Sequence, residues 1–267
     1  MIDRRADRVA LVDTLGDLSA APSLSIVVPV YNEEHQIAAS LERLREWLEA
    51  REGEWQLLVV DNASTDDTVR IARDTGVEVL VNDQNRGKGY SVRRGMLAAD
   101  GDLRLFCDAD CWRSLPSLGA MIDAAGEYDV VIGSRLAPGA QVERPQTPQR
   151  RLVGPMFLRL TKALMGEPVA DVYCGFKLWR AEAADEVFSR STIDGWAFDA
   201  EILALARRLG YRATEQGIVW INGEQSRLSI GRTIVPALRD LLRARAAARS
   251  LPRHEPRGVS VSAARTP

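Results

Sequence analysis

The chain has 267 residues, enough for one large domain or two small ones. A hydrophobic share of 46% is ordinary for a soluble globular protein, and a formal net charge of −2 gives no electrostatic reason to expect a nucleic-acid partner. Three cysteines make no disulfide framework, no apolar run nears the roughly 18 residues of a membrane span, and the charged start Met1-Ile-Asp-Arg-Arg lacks a signal-peptide core. The expected location is therefore cytoplasmic, with any membrane contact peripheral.

Residues 1–22 are charged and mixed and read as an N-terminal arm. Leu24–Val30 is a short β-branched run, predicted as a buried strand. Tyr31-Asn-Glu-Glu-His35 follows, then a helix with Ile37, Leu41, Leu44, Trp47 and Leu48 on one face. Trp55–Val60 is the second strand and ends in Asp61-Asn-Ala-Ser-Thr65. Asp66 and Asp67 then cap a helix through Val69 and Ile71. Val77–Val81 is the third strand, and a loop from Asn82 to Lys88 leads to a helix over Val92–Ala99. Leu103–Cys107 is the fourth strand and runs into Asp108-Ala109-Asp110.

The second half is less regular. A helix over Leu118–Ala125 precedes a strand at Asp129–Gly133, which ends at Ser134-Arg135. Residues 137–149 read as a loop, and Arg150–Met165 as a helix with Leu152, Phe157, Leu160 and Leu164 inward. Helices near Ala181–Phe188 and Phe198–Leu209 and a strand at Gly217–Ile221 follow. A single domain over 23–231 is expected, then a basic amphipathic helix region at 232–257 and a disordered tail at 258–267. That helix carries Leu238, Leu241 and Leu242 beside Arg239, Arg243, Arg245 and Arg249. It can lie on anionic lipid or dock on the protein with its arginines solvated.

Strands alternating with helices at this spacing predict a mostly parallel sheet covered on both faces. Ligands bind such sheets at the carboxyl ends of the strands. The segments Tyr31–Glu33, Asp61–Ser64, Asn85–Lys88 and Asp108–Asp110 all fall on that edge. Asp108 and Asp110, one residue apart in an extended segment, point to the same side and can hold a divalent cation that leaves positions open for a diphosphate. Lys88, between glycines, can neutralise phosphate charge. Cys107 and Cys111 flank the aspartates, but His35 and His254 lie too far off in sequence to complete a zinc site, so buried thiols are expected.

Seven ordered stretches carry a resemblance: Val27-Val-Pro-Val-Tyr-Asn-Glu33, Val59-Val-Asp-Asn-Ala-Ser-Thr-Asp66, Asn85-Arg-Gly-Lys-Gly89 with Arg93-Arg-Gly-Met96, Asp108-Ala-Asp110, Ile132-Gly-Ser-Arg135, Cys174-Gly-Phe-Lys177 and Trp196-Ala-Phe-Asp-Ala-Glu201. Over about residues 24–245 the chain resembles family 2 glycosyltransferases of the GT-A nucleotide-sugar fold. Within that family it is most like the dolichyl- or polyprenyl-phosphate glucosyltransferases and mannosyltransferases. The resemblance implies an α/β GT-A domain with a Rossmann-like N-terminal half and an inverting hexosyltransferase using a nucleotide sugar, UDP-glucose favoured. It also implies a Mg2+ or Mn2+ cofactor and a polyprenyl phosphate acceptor.

By the same resemblance, Pro29, Tyr31 and Glu33 border the nucleoside, and Asp61 reads the uracil N–H. Lys88, Asp108, Ala109 and Lys177 belong to the donor site, and Asp108 and Asp110 hold the metal. Arg135, Arg151 and Arg227 are placed for an acceptor phosphate. Asp199 is the natural general base should the acceptor instead be a small soluble hydroxyl compound. Two departures stand out. Cys111-Trp112-Arg113 follows the aspartates where the mannose enzymes tend to have Leu-Gln, and the membrane anchor common in the glucosyl branch is not recognised. A non-catalytic nucleotide-sugar-binding protein is a third reading, disfavoured by the retained acidic pair and cations.

Overall fold

A computed structural model describes residues 21–143, 148–166, 168–221 and 230–255. In chain order these are β1 (Leu24–Val30), α1 (Ile37–Glu49), β2 (Trp55–Asp61), α2 (Thr68–Asp74), β3 (Glu78–Val81), α3 (Lys88–Ala98) and β4 (Leu103–Cys107). After a 3-10 turn at Cys111–Ser117 come α4 (Leu118–Ala124), β5 (Val130–Ser134), β6 (Gln141–Glu143) and α5 (Pro148–Met165). The chain continues with β7 (Phe176–Arg180), α6 (Ala181–Arg190), α7 (Phe198–Arg208), β8 (Ala213–Gly217), β9 (Val219–Ile221) and α8 (Ile230–Ser250).

The main sheet has the order β3-β2-β1-β4-β7-β5-β8, with β7 antiparallel to both of its neighbours and every other pairing parallel. The central strands are apolar at nearly every position because both faces are covered. Alternate residues point to opposite sides. Val27, Leu58, Val60, Phe106, Ile132 and Trp179 face α3, α6, α7 and α8, while Ile26, Val28, Leu57, Val59, Leu105 and Leu178 face α1, α2 and α4. Helix α1 buries Ile37, Leu41, Leu44 and Leu48, an apolar stripe at helical spacing.

Several expectations change in detail. The helix predicted from Val92 begins at Lys88, so the glycine turn runs straight into it. The single strand expected at Gly217–Ile221 is split: β8 ends at Gly217 beside β5, and β9 pairs with β6 in a separate two-stranded sheet. Residues 137–149, expected as a loop, contain β6 and the start of α5. Leu160 is exposed rather than inward, and α5 turns Thr161 and Met165 to the core instead. The side chain of Leu152 lies outside the described residues. Helix α8 docks on α7 and α5 through Ala237, Leu241, Ala244 and Ala248. Among the described residues no helix is long and apolar enough to cross a membrane.

Candidate active site

Because β1 to β5 run in one direction, their carboxyl ends share an edge, and antiparallel β7 begins there. This edge receives Tyr31–Glu34, Asp61–Ser64, Asn82–Gly87, Asp108–Asp110, Ser134–Arg135 and Cys174–Gly175. The first two loops are sewn together. The Asn32 N–H donates to Ser64 Oγ (2.8 Å), the Thr65 N–H to Asn32 Oδ1 (2.7 Å) and the Glu33 N–H to Thr68 Oγ1 (2.7 Å). These bonds hold Asn32 (φ 54°) and Ala63 (φ 59°) in the left-handed region that non-glycine residues seldom occupy. The N-cap of α2 is Asp67, which makes no side-chain cap bond, while Asp66 just before it accepts from the Thr68 N–H (3.1 Å) and Ser64 serves as a link between loops.

Asp61 is fully buried. Its Oδ2 accepts from the Ser64 N–H (2.9 Å), while Oδ1 has no hydrogen-bond partner among the described residues. An orphaned buried carboxylate oxygen costs stability unless a donor arrives, so this atom is suited to a ligand N–H. Tyr31, with its ring partly exposed, and Glu33, which accepts from Gln36 Nε2 (2.6 Å), lie on the adjoining loop.

Gly87 caps α3 at φ 107°, where any side chain would be strained and a Cβ would strike the Asp194 carbonyl. The segment Ser191–Ala197 therefore packs directly against the glycine turn. Glu201 fastens that segment by accepting from the Thr192 N–H (3.0 Å), Thr192 Oγ1 (2.8 Å) and the Ile193 N–H (2.9 Å). Arg93 adds an ion pair to Asp194 at 2.6 Å. Burial pushes the Glu201 carboxyl above its ordinary range, opposed by the Ile193 and Thr192 donors. Lys88, the first residue of α3, pairs its ammonium with Asp108 and lies 5.5 Å from the Trp196 ring centroid.

The Asp108 N–H donates to the Gly175 carbonyl (3.0 Å), drawing the start of β7 against the acidic turn. Asp110, half-buried, has its carboxyl pushed up by burial and then by the Asp108 charge. Lys177 is fully buried beneath this turn, where its ammonium donates to the Cys174 carbonyl (2.6 Å) and pairs with Asp199. Asp199 is 2% exposed. Burial pushes its carboxyl up, and the Lys177 charge opposes that. The base expected for a hydroxyl acceptor is thus closed off behind a lysine, and Lys177 is itself fully buried. Cys107 and Cys174 are buried free thiols, with Cys174 pushed up to about 12 by burial.

Arg135 is gripped from two sides. Its Nε and Nη2 each donate to Asp171 at 2.7 Å, and its guanidinium lies 5.1 Å from the Trp220 ring centroid. Asp171 is in turn positioned by Glu215, which accepts from the Asp171 N–H (3.0 Å) and the Ala170 N–H (2.7 Å). Burial works to raise the Asp171 carboxyl, but Arg135 overrides it and holds the group below the usual carboxylate range. Arg227 and the side chain of Arg151 lie outside the described residues.

The profile of glycosyl transferase family 2 matches residues 25–188, more than half of the chain. The chain belongs to that family. This glycosyltransferase is 32% identical over 237 residues to the dolichyl-phosphate beta-glucosyltransferase of Drosophila melanogaster, covering 81% of this chain and 73% of that protein. A dolichyl-phosphate beta-glucosyltransferase of Trichomonas vaginalis is 30% identical over 237 residues, covering 82% of this chain and 72% of its own. Among solved structures, glucosyl-3-phosphoglycerate synthase from Mycobacterium tuberculosis in complex with Mn2+, uridine-diphosphate-glucose and phosphoglyceric acid superposes with a TM-score of 0.63. That match is 21% identical and covers 84% of this chain and 80% of the other, a likeness of fold, which is GT-A.

Asp108 and Asp110 form the acidic pair, but Asp110 stands at φ −94°, ψ −2° at the head of the 3-10 turn rather than in the extended segment expected from the sequence, and no group of three metal-ligating side chains exists among the described residues. That donor set fits an ion which completes its shell with diphosphate oxygens and water, as Mg2+ prefers. Gly175 keeps the room, since a Cβ there would collide with the Asp108 carboxylate. Sequence reasoning missed Glu201 as the fastener of Ser191–Ala197, and Glu215 and Trp220 as supports of Arg135. No local pattern marks Glu215 and Trp220, which act on segments distant in sequence, whereas Glu201 closes one of the quoted stretches and its fastening of Thr192 and Ile193 shows only in the structure.

Proposed function

We propose that this glycosyltransferase moves a glucosyl group from UDP-glucose to the phosphate of a polyprenyl lipid of the dolichyl type, with inversion at the anomeric carbon. The supporting observation is the convergence, on one sheet edge, of the orphaned Asp61 oxygen, the Lys88–Asp108 pair, Asp110 and the clamped Arg135. Relatives matching 81% and 82% of the chain are named dolichyl-phosphate beta-glucosyltransferases. In this reading Asp61 accepts from the uracil N–H, Tyr31 and Glu33 border the nucleoside, and Asp108 and Asp110 hold Mg2+ or Mn2+. When bound, the ion supplies Lewis-acid stabilisation of the departing diphosphate.

A lipid phosphate is already anionic near neutral pH, so its oxygen attacks without a general base. The bond from the anomeric carbon to the diphosphate breaks as the new bond forms, and UDP departs with the negative charge. Lys88 offsets part of that charge. One in-line displacement inverts the centre. Arg135 orients the acceptor phosphate, with Arg151 and Arg227 as further cations, and arginine forks match phosphate oxygens. The burial of Asp199 against Lys177 favours a phosphate over a hydroxyl acceptor.

The test incubates purified protein with Mg2+, a panel of labelled nucleotide sugars and either polyprenyl phosphate or small hydroxyl acceptors. UDP-glucose with polyprenyl phosphate is expected to give a lipid-linked product, and Asp110→Asn to abolish it while the fold survives. Preferential transfer to a hydroxyl acceptor would overturn the acceptor reading. Undiminished transfer by Asp110→Asn would overturn the metal reading.

A further inference from the structure

A second region of the molecule combines apolar surface with concentrated positive charge. Helix α8 docks through Ala237, Leu241, Ala244 and Ala248, yet Leu238 and Leu242 remain 37% and 52% exposed. Leu238, Leu242, Arg245 and Arg249 recur at intervals of four, three and four residues and so share one face of α8. On neighbouring α5, Met156 and Leu160 are 67% and 42% exposed, and Ala163, three residues on, continues their face. Both faces lead to the same place: Ala163, Leu164, Arg207, Arg208, Arg245 and Arg249 all line one cavity of about 310 Å3. No acidic side chain lines it among the described residues.

The arginines divide into two kinds. Arg207 donates to the Met165 (2.6 Å) and Gly166 carbonyls, and Arg208 to those of Leu251 (3.0 Å) and Arg249 (3.1 Å). These two close off the C-terminal ends of α5 and α8. Arg245, half-buried, and Arg249, exposed, bring two further guanidinium groups to the cavity. The cavity is remote from the sugar-nucleotide edge: α7 carries Asp199 at one end and Arg208 at the other, about 14 Å apart at the rise of an α-helix.

We infer that the seam between α5 and α8 binds an anionic phospholipid of a bilayer surface, with acyl chains along Met156, Leu160, Leu238 and Leu242 and the headgroup phosphate on Arg245 and Arg249. An apolar track that ends in guanidinium groups with no ion pair among the described residues matches an amphiphile of opposite charge. The protein as a whole has a formal net charge of −2, so attraction to an anionic membrane must be local, as this placement makes it. The inference deepens the proposed function, since a lipid-linked acceptor is met at a membrane, and it rests on that reading only for its purpose. Its test needs neither donor nor acceptor.

The test is flotation of the full chain with phosphatidylcholine vesicles, with and without phosphatidylglycerol. Wild type is expected to float with the anionic vesicles and to be released by salt. Arg245→Gln with Arg249→Gln is expected to weaken that binding about thirtyfold, from two basic residues lost at an anionic surface. Leu160→Ser with Leu242→Ser is expected to weaken it while leaving the salt dependence in place. Circular dichroism and UDP-glucose hydrolysis should be unchanged in both variants, which separates loss of the lipid site from loss of fold.

Equal binding to neutral vesicles, or wild-type binding by the arginine variant, would overturn the inference. Full displacement by millimolar glycerol 3-phosphate would also overturn it, by showing a site for soluble phosphates. Lipid binding without any glucosyl transfer would leave the inference standing and sink the proposed acceptor instead.

Discussion

Gly175→Ala is a one-carbon test of where the acidic turn must sit. The glycine precedes β7, and its carbonyl accepts from the Asp108 N–H at 3.0 Å, which lays its Cα against the Asp108 side chain. A Cβ on Gly175 would stand 2.5 Å from Asp108 Cγ, about 1 Å inside ordinary carbon contact. The Asp108 side chain is about one third exposed, so it can swing away without disturbing the core. The expected stability cost is therefore within about 1 kcal/mol, a shift in melting temperature of about 2–4 °C. A displacement of about 1 Å at a catalytic centre lowers the rate roughly a hundredfold, or about 2.7 kcal/mol of transition-state stabilisation. The assay is UDP release at saturating polyprenyl phosphate, with melting followed in parallel. Gly119→Ala, where an added Cβ meets nothing within 4 Å, is the control and should keep full activity. Wild-type turnover by folded Gly175→Ala protein would refute the placement of Asp108 at the reacting diphosphate.

Three further outcomes are expected. Asp171→Asn should cost about 2 kcal/mol at pH 7, measured by urea unfolding, because it weakens charged hydrogen bonds to Arg135. Arg135 holds the folded-state carboxyl below the ordinary aspartate range, so this contribution is fully present above that range. The gap between wild type and variant should close as pH falls through the depressed value, and a gap that widens in acid would contradict the pairing. Asp199→Asn should destabilise by about 3–5 kcal/mol by stranding the buried Lys177 ammonium, while Lys177→Met with Asp199→Leu should recover most of the loss. Equal instability of the single and double variants would show that the pair is not the cause. Glu201→Ala should cost about 2 kcal/mol and speed amide exchange at Thr192 and Ile193, whereas unchanged exchange there would remove Glu201 as the fastener of that segment.

Much of this protein was legible locally. Strands β1, β2 and β4 are mostly apolar runs that end in polar turns, as burial on both faces favours, although β1 carries Ser25, β2 Gln56 and β4 the buried Arg104. Placing those turns on one edge needs only the rule that alternating strands and helices make a parallel sheet, and this is how Asp61, Lys88, Asp108 and Asp110 could be grouped before any coordinates. Lys177 and Asp199 carried no such signal. The family resemblance pointed to diphosphate and base chemistry for them, but antiparallel β7 inserts between β4 and β5 and turns Lys177 inward to meet a carboxylate 22 residues on. Leu160 read as a core residue because helical spacing gives a face and not its direction. The neighbours of α5 decided the direction, selecting Thr161 and Met165 and leaving Leu160 to solvent. Hydrophobic period and strand-end chemistry are properties of contiguous residues, so the sequence by itself determined the parallel strands β1 to β5, their ligand edge and the place of the acidic turn, but not the insertion of β7 or the strand β8. The partners of Arg135, the concealment of Asp199 and the open seam between α5 and α8 depend on segments that meet only after long loops close, and only the tertiary structure decided them.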